Sequence, residues 1–206
     1  METSIILSFL GASVLLSFMP GPDNIFVLSE SLSRGPKTGI KISIGLVSGV
    51  LIHTLLAATG ISLLISKSQL AFDIIKYVGA TYLFYLAYQA TKEKPIAIPY
   101  NSQTSQSETK SFKLFSKGFL MNVTNPKVSL FFIAFLPQFI TKDGINYTLQ
   151  MIILGIIFII QALIIFSGIA ILAGQFSKQL NKASFWTYTK WTKVIILSVL
   201  GISLLI

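Results

Sequence analysis

The chain of 206 residues contains no cysteine and only one histidine, His53. The lack of cysteine excludes disulfide bonds, thiolate metal sites, iron–sulfur clusters and thiol redox chemistry. Because one histidine and seven acidic residues are scattered along the chain, we expect no metal site built from protein side chains. No glycine-rich nucleotide-binding loop ending in Lys-Ser or Lys-Thr occurs, so we expect no cofactor and no energy supply from a nucleotide.

Charged residues are also scarce. They make up 11% of the chain, against 53% hydrophobic residues, whereas about 25% charged residues is usual in a soluble domain. From Gly144 to Ser177, 34 consecutive residues carry no charge. This run exceeds the ~20 residues that cross a bilayer. The sequence therefore predicts an integral membrane protein surrounded by lipid.

Long apolar stretches with few or no charges predict an all-α fold with six transmembrane helices. The predicted spans are residues 3–29, 42–66, 69–91, 114–141, 147–173 and 185–206. Only 13 uncharged residues follow Lys193, so we start the sixth helix near Phe185 and expect its first lysines to reach the interface.

A polar, low-complexity stretch divides the six spans into halves. We predict a first three-helix repeat at 1–91, a cytoplasmic linker at 92–113 and a second three-helix repeat at 114–206. Because each half has an odd number of spans, the second half enters the membrane from the opposite side. Two inverted repeats of this kind are a recurring plan in transporters.

The basic residues indicate the orientation. Twelve of the 16 bases lie in or beside the first, third and fifth loops, and three lie towards the opposite side of the membrane. The positive-inside rule places the first set in the cytoplasm and both termini outside, in a multi-pass protein of the inner or plasma membrane. Fifteen of the bases are lysine, which recognises phosphate less well than arginine does. We therefore expect no nucleic-acid partner.

Two of the predicted spans contain helix-breaking motifs. The first span ends with Met19-Pro20-Gly21-Pro22-Asp23-Asn24, and the fourth contains Asn122-Val-Thr-Asn125-Pro126-Lys127. A proline within a span frees backbone groups that need other partners. We predict breaks at Pro20, Pro22 and Pro126, with new half-helices opening at Pro22 and Pro126.

Interrupted spans at corresponding positions of two halves indicate a transporter binding site. Each break exposes a helix N-terminus, which carries partial positive charge. The alternative is that both breaks are packing kinks. On the binding-site interpretation, the candidate substrate-binding residues are Gly21, Asp23, Asn24, Asn125 and Lys127.

Asp23 and Lys127 are the ionisable residues at these breaks. A charge well inside a span costs at least ~2.5–3.5 kcal/mol on insertion scales and is kept where it pairs or lines a wet cavity. We expect Lys127 to bind the carboxylate of an amino acid. We expect Asp23 to receive its ammonium group and to couple transport to protons by alternating between ionised and protonated states. An ion pair between the two residues is left open.

The second span offers further candidates. His53 titrates near physiological pH, which makes it a candidate for proton coupling; the alternative is a hydrogen-bonded packing residue. Gly45-x-x-x-Gly49 permits close approach of another helix. That helix belongs either to the same chain or, in a homodimer, to a second copy.

Taken together, these motifs resemble those of the LysE-type translocators, which export amino acids and derivatives and include a homoserine/threonine branch. The similarity rests on Pro20-Gly21-Pro22-Asp23-Asn24, Asn125-Pro126-Lys127, the six spans and a length near 200 residues. The second span, with Gly39, Gly45, Gly49 and His53, is similar too. The resemblance covers essentially the whole chain. It implies secondary active, proton-driven export of a neutral or cationic amino acid.

Two other classes compete with this interpretation. An inorganic-ion or metal exporter of similar layout would need clustered carboxylates or histidines within the spans. A membrane enzyme or redox carrier would need a catalytic motif such as His-Glu-x-x-His or Gly-x-Ser-x-Gly, and the sequence has neither. We therefore expect a transporter, not an enzyme.

Overall fold

The computed structural model describes residues 1–93, 111–141, 145–180 and 182–205, which are mostly helical. Most of the predicted linker lies outside these ranges. The helices are α1 (Thr3–Phe18), α2 (Pro22–Arg34), α3 (Pro36–Leu56), α4 (Ser62–Lys67), α5 (Gln69–Thr91), α6 (Ser111–Val123), α7 (Pro126–Leu130), α8 (Tyr147–Leu180) and α9 (Ala183–Leu205). A π-helical turn at Ala57–Ile61 joins α3 to α4. Another at Phe131–Phe135, followed by a 3-10 turn at Leu136–Phe139, extends α7.

Six membrane spans can be assembled from these elements. Four continuous segments are long and apolar enough to cross a membrane: Pro36–Leu64, Gln69–Thr91, Tyr147–Gln175 and Ser184–Leu205. Two bent pairs supply the other spans. Helices α1 and α2 meet at 57°, and Ser111–Val123 meets Pro126–Phe139 at 50°. The prediction of an all-α, six-span protein with breaks in the first and fourth spans is confirmed.

Local sequence explains where the helices begin. Proline occupies the first position of α2, α3 and α7, where its missing N–H costs no hydrogen bond. Gly35 turns the chain between α2 and α3 with φ = 86°, a conformation that favours glycine. Helix α3 therefore begins at Pro36, ahead of the uncharged run that starts at Ile42. Its first turns contain basic residues, whose long side chains can reach the water.

Helix α3 packs against α6, α8 and α2. Its backbone approaches that of α6 closely. A Cβ atom on Gly45 would lie 2.1 Å from the Phe115 carbonyl oxygen, and one on Gly118 would lie 2.4 Å from that of Ile42. Gly49 faces Asn122 in the same contact. The Gly45-x-x-x-Gly49 motif therefore packs two helices of one chain.

The helix pairings are the same when the two halves are exchanged, so that the first, second and third spans correspond to the fourth, fifth and sixth. The second span packs on the fourth through α3 and α6, and the fifth packs on the first through α8, α1 and α2. The third and sixth spans, α5 and α9, pack on each other. The two repeats and their boundaries at 1–91, 92–113 and 114–206 stay predictions.

Candidate functional site

The two helix breaks meet inside the bundle. Asn125 caps α7, since its side-chain oxygen accepts a hydrogen bond from the Lys127 backbone N–H at 3.0 Å. Its amide nitrogen reaches the other broken span and donates to Asp23 Oδ2 at 2.6 Å. One asparagine thus opens a half-helix and ties the fourth span to the first, although 102 residues separate the bonded pair.

Asp23 lies in the first turn of α2 and is only 1% exposed. Its Oδ2 atom is bonded to Asn125, but Oδ1 accepts no hydrogen bond from any described residue. A buried carboxylate oxygen without a donor is costly. Asp23 therefore has an acceptor available for a ligand that carries N–H or O–H groups.

Lys127 is also buried, with 8% of its surface exposed. Its ammonium group donates to the carbonyl oxygens of Leu16 at 3.2 Å and Met19 at 3.4 Å. These carbonyls lie at the C-terminal end of α1, which the break leaves without the next helical turn. A Cβ atom on Gly21 would lie 3.6 Å from Lys127 Nζ. The ammonium group of the fourth span thus lies directly beside the break in the first.

Asp23 and Lys127 do not form a direct ion pair among the described salt bridges. Asn125 connects them instead, because its amide donates to Asp23 while its oxygen accepts from the Lys127 backbone. The two side chains present opposite charges on either side of this link. The ion pair left open by the sequence is therefore replaced by a bridged arrangement.

Asn24 and Gln161 add neutral acceptors beside the first break. Asn24 Nδ2 donates to the Ser17 carbonyl oxygen at 2.8 Å, and Gln161 Nε2 donates to Ser17 Oγ at 2.9 Å. Both residues are buried, and neither Asn24 Oδ1 nor Gln161 Oε1 accepts a hydrogen bond from the described residues. Sequence reasoning missed Gln161 on α8. Its only signal is an amide in the middle of a long uncharged run.

His53 lies next to the other break. Its Nε2 atom lies 3.1 Å from the Asn122 carbonyl oxygen, and a carbonyl only accepts, so this ring nitrogen is the donor. Its ring centroid is 6.0 Å from that of Phe132. Neither this hydrogen bond nor this ring contact involves Asp23. The structure thus brings Gly21, Asp23, Asn24, Asn125 and Lys127 together and leaves His53 beside them.

A cavity of about 200 Å³ opens beside the first break. We call it the α9 cavity, because the first turns of α9 form one of its walls. Its lining includes Gly21, Pro22, Glu93, Trp186, Lys190 and Lys193. The cavity therefore extends from the break, where Lys127 lies, to the ends of α5 and α9.

Comparison with known proteins decides the family. The model of the family described as LysE type translocator matches residues 14–206, a range that includes both breaks and every candidate site residue. The chain belongs to the LysE type translocator family. The resemblance seen in the motifs is thus confirmed, and the protein is an integral membrane protein of a translocator family.

Several relatives of this LysE-family chain are similar over most of their length. An uncharacterized membrane protein of Vibrio cholerae is 32% identical over 91% of this chain and 89% of its own. The uncharacterized membrane protein YrhP of Bacillus subtilis is 30% identical over 93% of this chain and 94% of its own. A homoserine/homoserine lactone efflux protein of Salmonella typhimurium is 32% identical over 85% and 88%. No solved structure gives a significant match.

Proposed function

We propose that this protein is a secondary active exporter of amino acids or their derivatives, coupled to the proton gradient. One observation carries the proposal. Two buried residues of opposite charge, Asp23 and Lys127, lie on the two broken spans and are joined through Asn125. An α-amino acid also carries one negative and one positive group a short distance apart. The efflux protein of Salmonella typhimurium supports the same substrate class.

Lys127 supplies the contact for the substrate carboxylate. Its ammonium group is held by neutral carbonyl oxygens of Leu16 and Met19, and a carboxylate makes a stronger, charge-assisted hydrogen bond than a carbonyl does. The N-termini of α2 and α7 add partial positive charge at the breaks. Gly21 leaves room beside Lys127, since it has no side chain.

Asp23 supplies the contact for the substrate ammonium group. Its Oδ1 atom accepts no hydrogen bond from the described residues, so an ammonium group would satisfy an acceptor that is otherwise unpaired. The unpaired oxygens of Asn24 and Gln161 lie around Ser17. They are suited to a further donor on the substrate, such as a hydroxyl group.

Asp23 is also the residue that we assign to proton coupling. A protonated carboxyl group forms no ion pair with an ammonium ion and binds it more weakly, so proton and substrate compete for one side chain. Binding of a proton from outside would release the substrate. Loss of that proton to the cytoplasm would leave Asp23 ready to bind the next substrate molecule. His53 is the second candidate for coupling, because its ring is held by a backbone carbonyl near the fourth-span break.

An exporter of inorganic ions or metals is the alternative. Such a site requires several oxygen or nitrogen ligands around one ion. In the described ranges no group of three or more His, Cys, Asp or Glu residues is placed to hold a metal ion. One acid and one base linked through a neutral amide fit a zwitterion better than they fit a metal cation.

The test is efflux from proteoliposomes loaded with a panel of labelled amino acids, measured with and without a proton gradient. Lys127→Met should reduce export of substrates with a free carboxylate by about tenfold or more, since it removes a charge-assisted hydrogen bond. Lys113→Met is the matched control, because Lys113 is an exposed lysine on α6. Export by Lys127→Met at the wild-type rate would remove Lys127 from the site. No gradient-dependent efflux of any amino acid by the wild type would overturn the proposed function.

The proposed direction of transport depends on topology. The bias of basic residues predicts that Gln103 is cytoplasmic and that Asn146 is extracytoplasmic. Gln103 lies in the linker, outside the described residues. Because the chain contains no cysteine, Gln103→Cys and Asn146→Cys can each be labelled singly with an impermeant reagent. Labelling of Gln103→Cys from outside intact cells would show that the orientation is the reverse of the predicted one.

A further inference from the structure

The α9 cavity connects with the site at the breaks through a glycine. Gly21 lines the cavity, and a Cβ atom placed on it would lie 3.6 Å from the Lys127 ammonium nitrogen. No side chain of residue 21 separates the two spaces. A small molecule in the cavity is therefore one residue away from the proposed carboxylate contact.

An ion pair in the wall of the cavity joins the end of α5 to α9. Lys193 on α9 pairs with Glu93, which follows the end of α5. The Lys193 side chain is 17% exposed and that of Glu93 is 48% exposed. Lys190, which also lines the cavity, donates to the Thr91 carbonyl oxygen at 3.4 Å. The wall thus contains one acid and two bases on the side that the positive-inside rule assigns to the cytoplasm.

The positive charges near the α9 cavity favour movement of an anion from the cavity towards Lys127. Lys193 lines the cavity, and so does Gly21, which lies beside the Lys127 ammonium group. A carboxylate in the cavity, between these two lysines, is attracted by both positive charges. The pair at Glu93 and Lys193 is partly exposed, so little free energy is lost when its partners are exchanged.

We propose that the α9 cavity is a vestibule subsite that binds a zwitterionic α-amino acid before it reaches Asp23 and Lys127. The amino acid takes the place of the ion pair: its carboxylate binds Lys193 and its ammonium group binds Glu93. The cavity of about 200 Å³ has room for a molecule of that size. This inference rests on the proposed function and adds a cytoplasmic subsite to it.

The test measures initial uptake into inside-out membrane vesicles, where the cytoplasmic face meets the medium. The substrates are a transported amino acid and its methyl ester, which lacks the carboxylate. Lys193→Met should raise KM for the amino acid about tenfold, with little change in the maximal rate and none in KM for the ester. Glu93→Gln should raise KM about threefold, because Glu93 is half exposed.

Glu30→Gln is the matched control. It removes the other described ion pair, in which Glu30 Oε2 lies 3.4 Å from Arg34 Nε within α2, and it should leave KM unchanged. A structural role for Glu93 and Lys193 in tying α5 to α9 predicts a different result. Breaking the tie would then change the maximal rate, or change KM equally for the acid and the ester, and either outcome overturns the subsite.

A second measurement covers the case in which Lys193→Met does not fold. Lys193→Cys introduces the one thiol of the chain, and a saturating amino acid should slow its modification by a soluble thiol reagent about fivefold or more. Unprotected modification at saturating substrate would overturn the subsite. If wild-type vesicles take up no amino acid, the proposed function itself fails. If they do and Lys193→Met keeps the wild-type KM, only the vestibule fails.

Discussion

Asp23 and Lys127 occupy the same position in two different helices: each is the residue after a proline that opens a half-helix in a broken span. Each side chain contacts the opposite half of the protein. Asp23 accepts a hydrogen bond from Asn125, and Lys127 donates to the carbonyl oxygens of Leu16 and Met19. The acid and the base are therefore corresponding residues of the two broken spans, and each interacts with the span that carries the other.

Asn125 should be the residue on which the assembly of this site depends most. Asn125→Ala removes a helix cap, worth about 1 kcal/mol, and leaves the buried Asp23 carboxylate without its donor, worth about 2 kcal/mol more. We expect a loss of about 3 kcal/mol in the free energy of unfolding, visible as a lower melting temperature in detergent. A melting temperature equal to that of the wild type would contradict the role of this bond.

Asn125→Asp tests the hydrogen bond to Asp23 separately from the helix cap. Aspartate is an equally good cap, but it puts a second carboxylate against Asp23. Two adjacent carboxylates repel each other unless one is protonated, so this variant should be more stable near pH 5 than near pH 7.5. Melting curves at the two pH values provide the measurement. The same pH dependence in variant and wild type would mean that residues 23 and 125 are not in contact.

Asp23→Asn keeps the size of the side chain but cannot titrate. We expect it to abolish accumulation driven by the proton gradient, while residual exchange of substrate becomes insensitive to pH between about pH 6 and pH 8. Glu30→Gln, a change to the other acid of α2, should retain gradient-driven export. If Asp23→Asn exports at the wild-type rate across this range, His53 becomes the coupling candidate.

Gln161 should affect selectivity more than stability. Gln161→Leu removes an unpaired acceptor next to Ser17, and a site that hydrogen-bonds a polar substrate group discriminates strongly against analogues without it. We expect the preference for a hydroxyl-bearing amino acid over an apolar one of equal length to fall about tenfold. Gln89→Leu, at an exposed position on α5, is the control. An unchanged preference, measured by competition, would separate Gln161 from the substrate.

Gly45 should tolerate no side chain. A Cβ atom would lie 2.1 Å from the Phe115 carbonyl oxygen, so Gly45→Ala must push α3 and α6 apart and should cost about 2–3 kcal/mol. Gly168→Ala is the matched change, since nothing lies within 4 Å of a Cβ atom there. It should leave the melting temperature unchanged or raise it slightly. A mild effect at Gly45 would mean that these helices are not in backbone contact.

The helix breaks and their charged residues could be predicted because the signals are local. Proline and a capping asparagine fix a helix start from a few neighbouring residues, and a charge stands out in an apolar span. The pairing of Asp23 with Asn125 and of Gln161 with Ser17 could not be predicted. These contacts join distant spans, so they depend on how helices pack. Amides also carry no charge that would mark them in an uncharged run.

The pairing of one buried acid with one buried base has an electrical consequence. Within the described residues, Asp23 and Lys127 are the buried aspartate and lysine, and together they carry no net charge. A zwitterion adds none, so under the proposed coupling the loaded site crosses the membrane field without electrical work. With Asp23 protonated, the returning site carries one positive charge, worth about 2.3 kcal/mol per 100 mV. An inside-negative membrane voltage would therefore speed the return of the empty carrier and leave the export step itself unaffected.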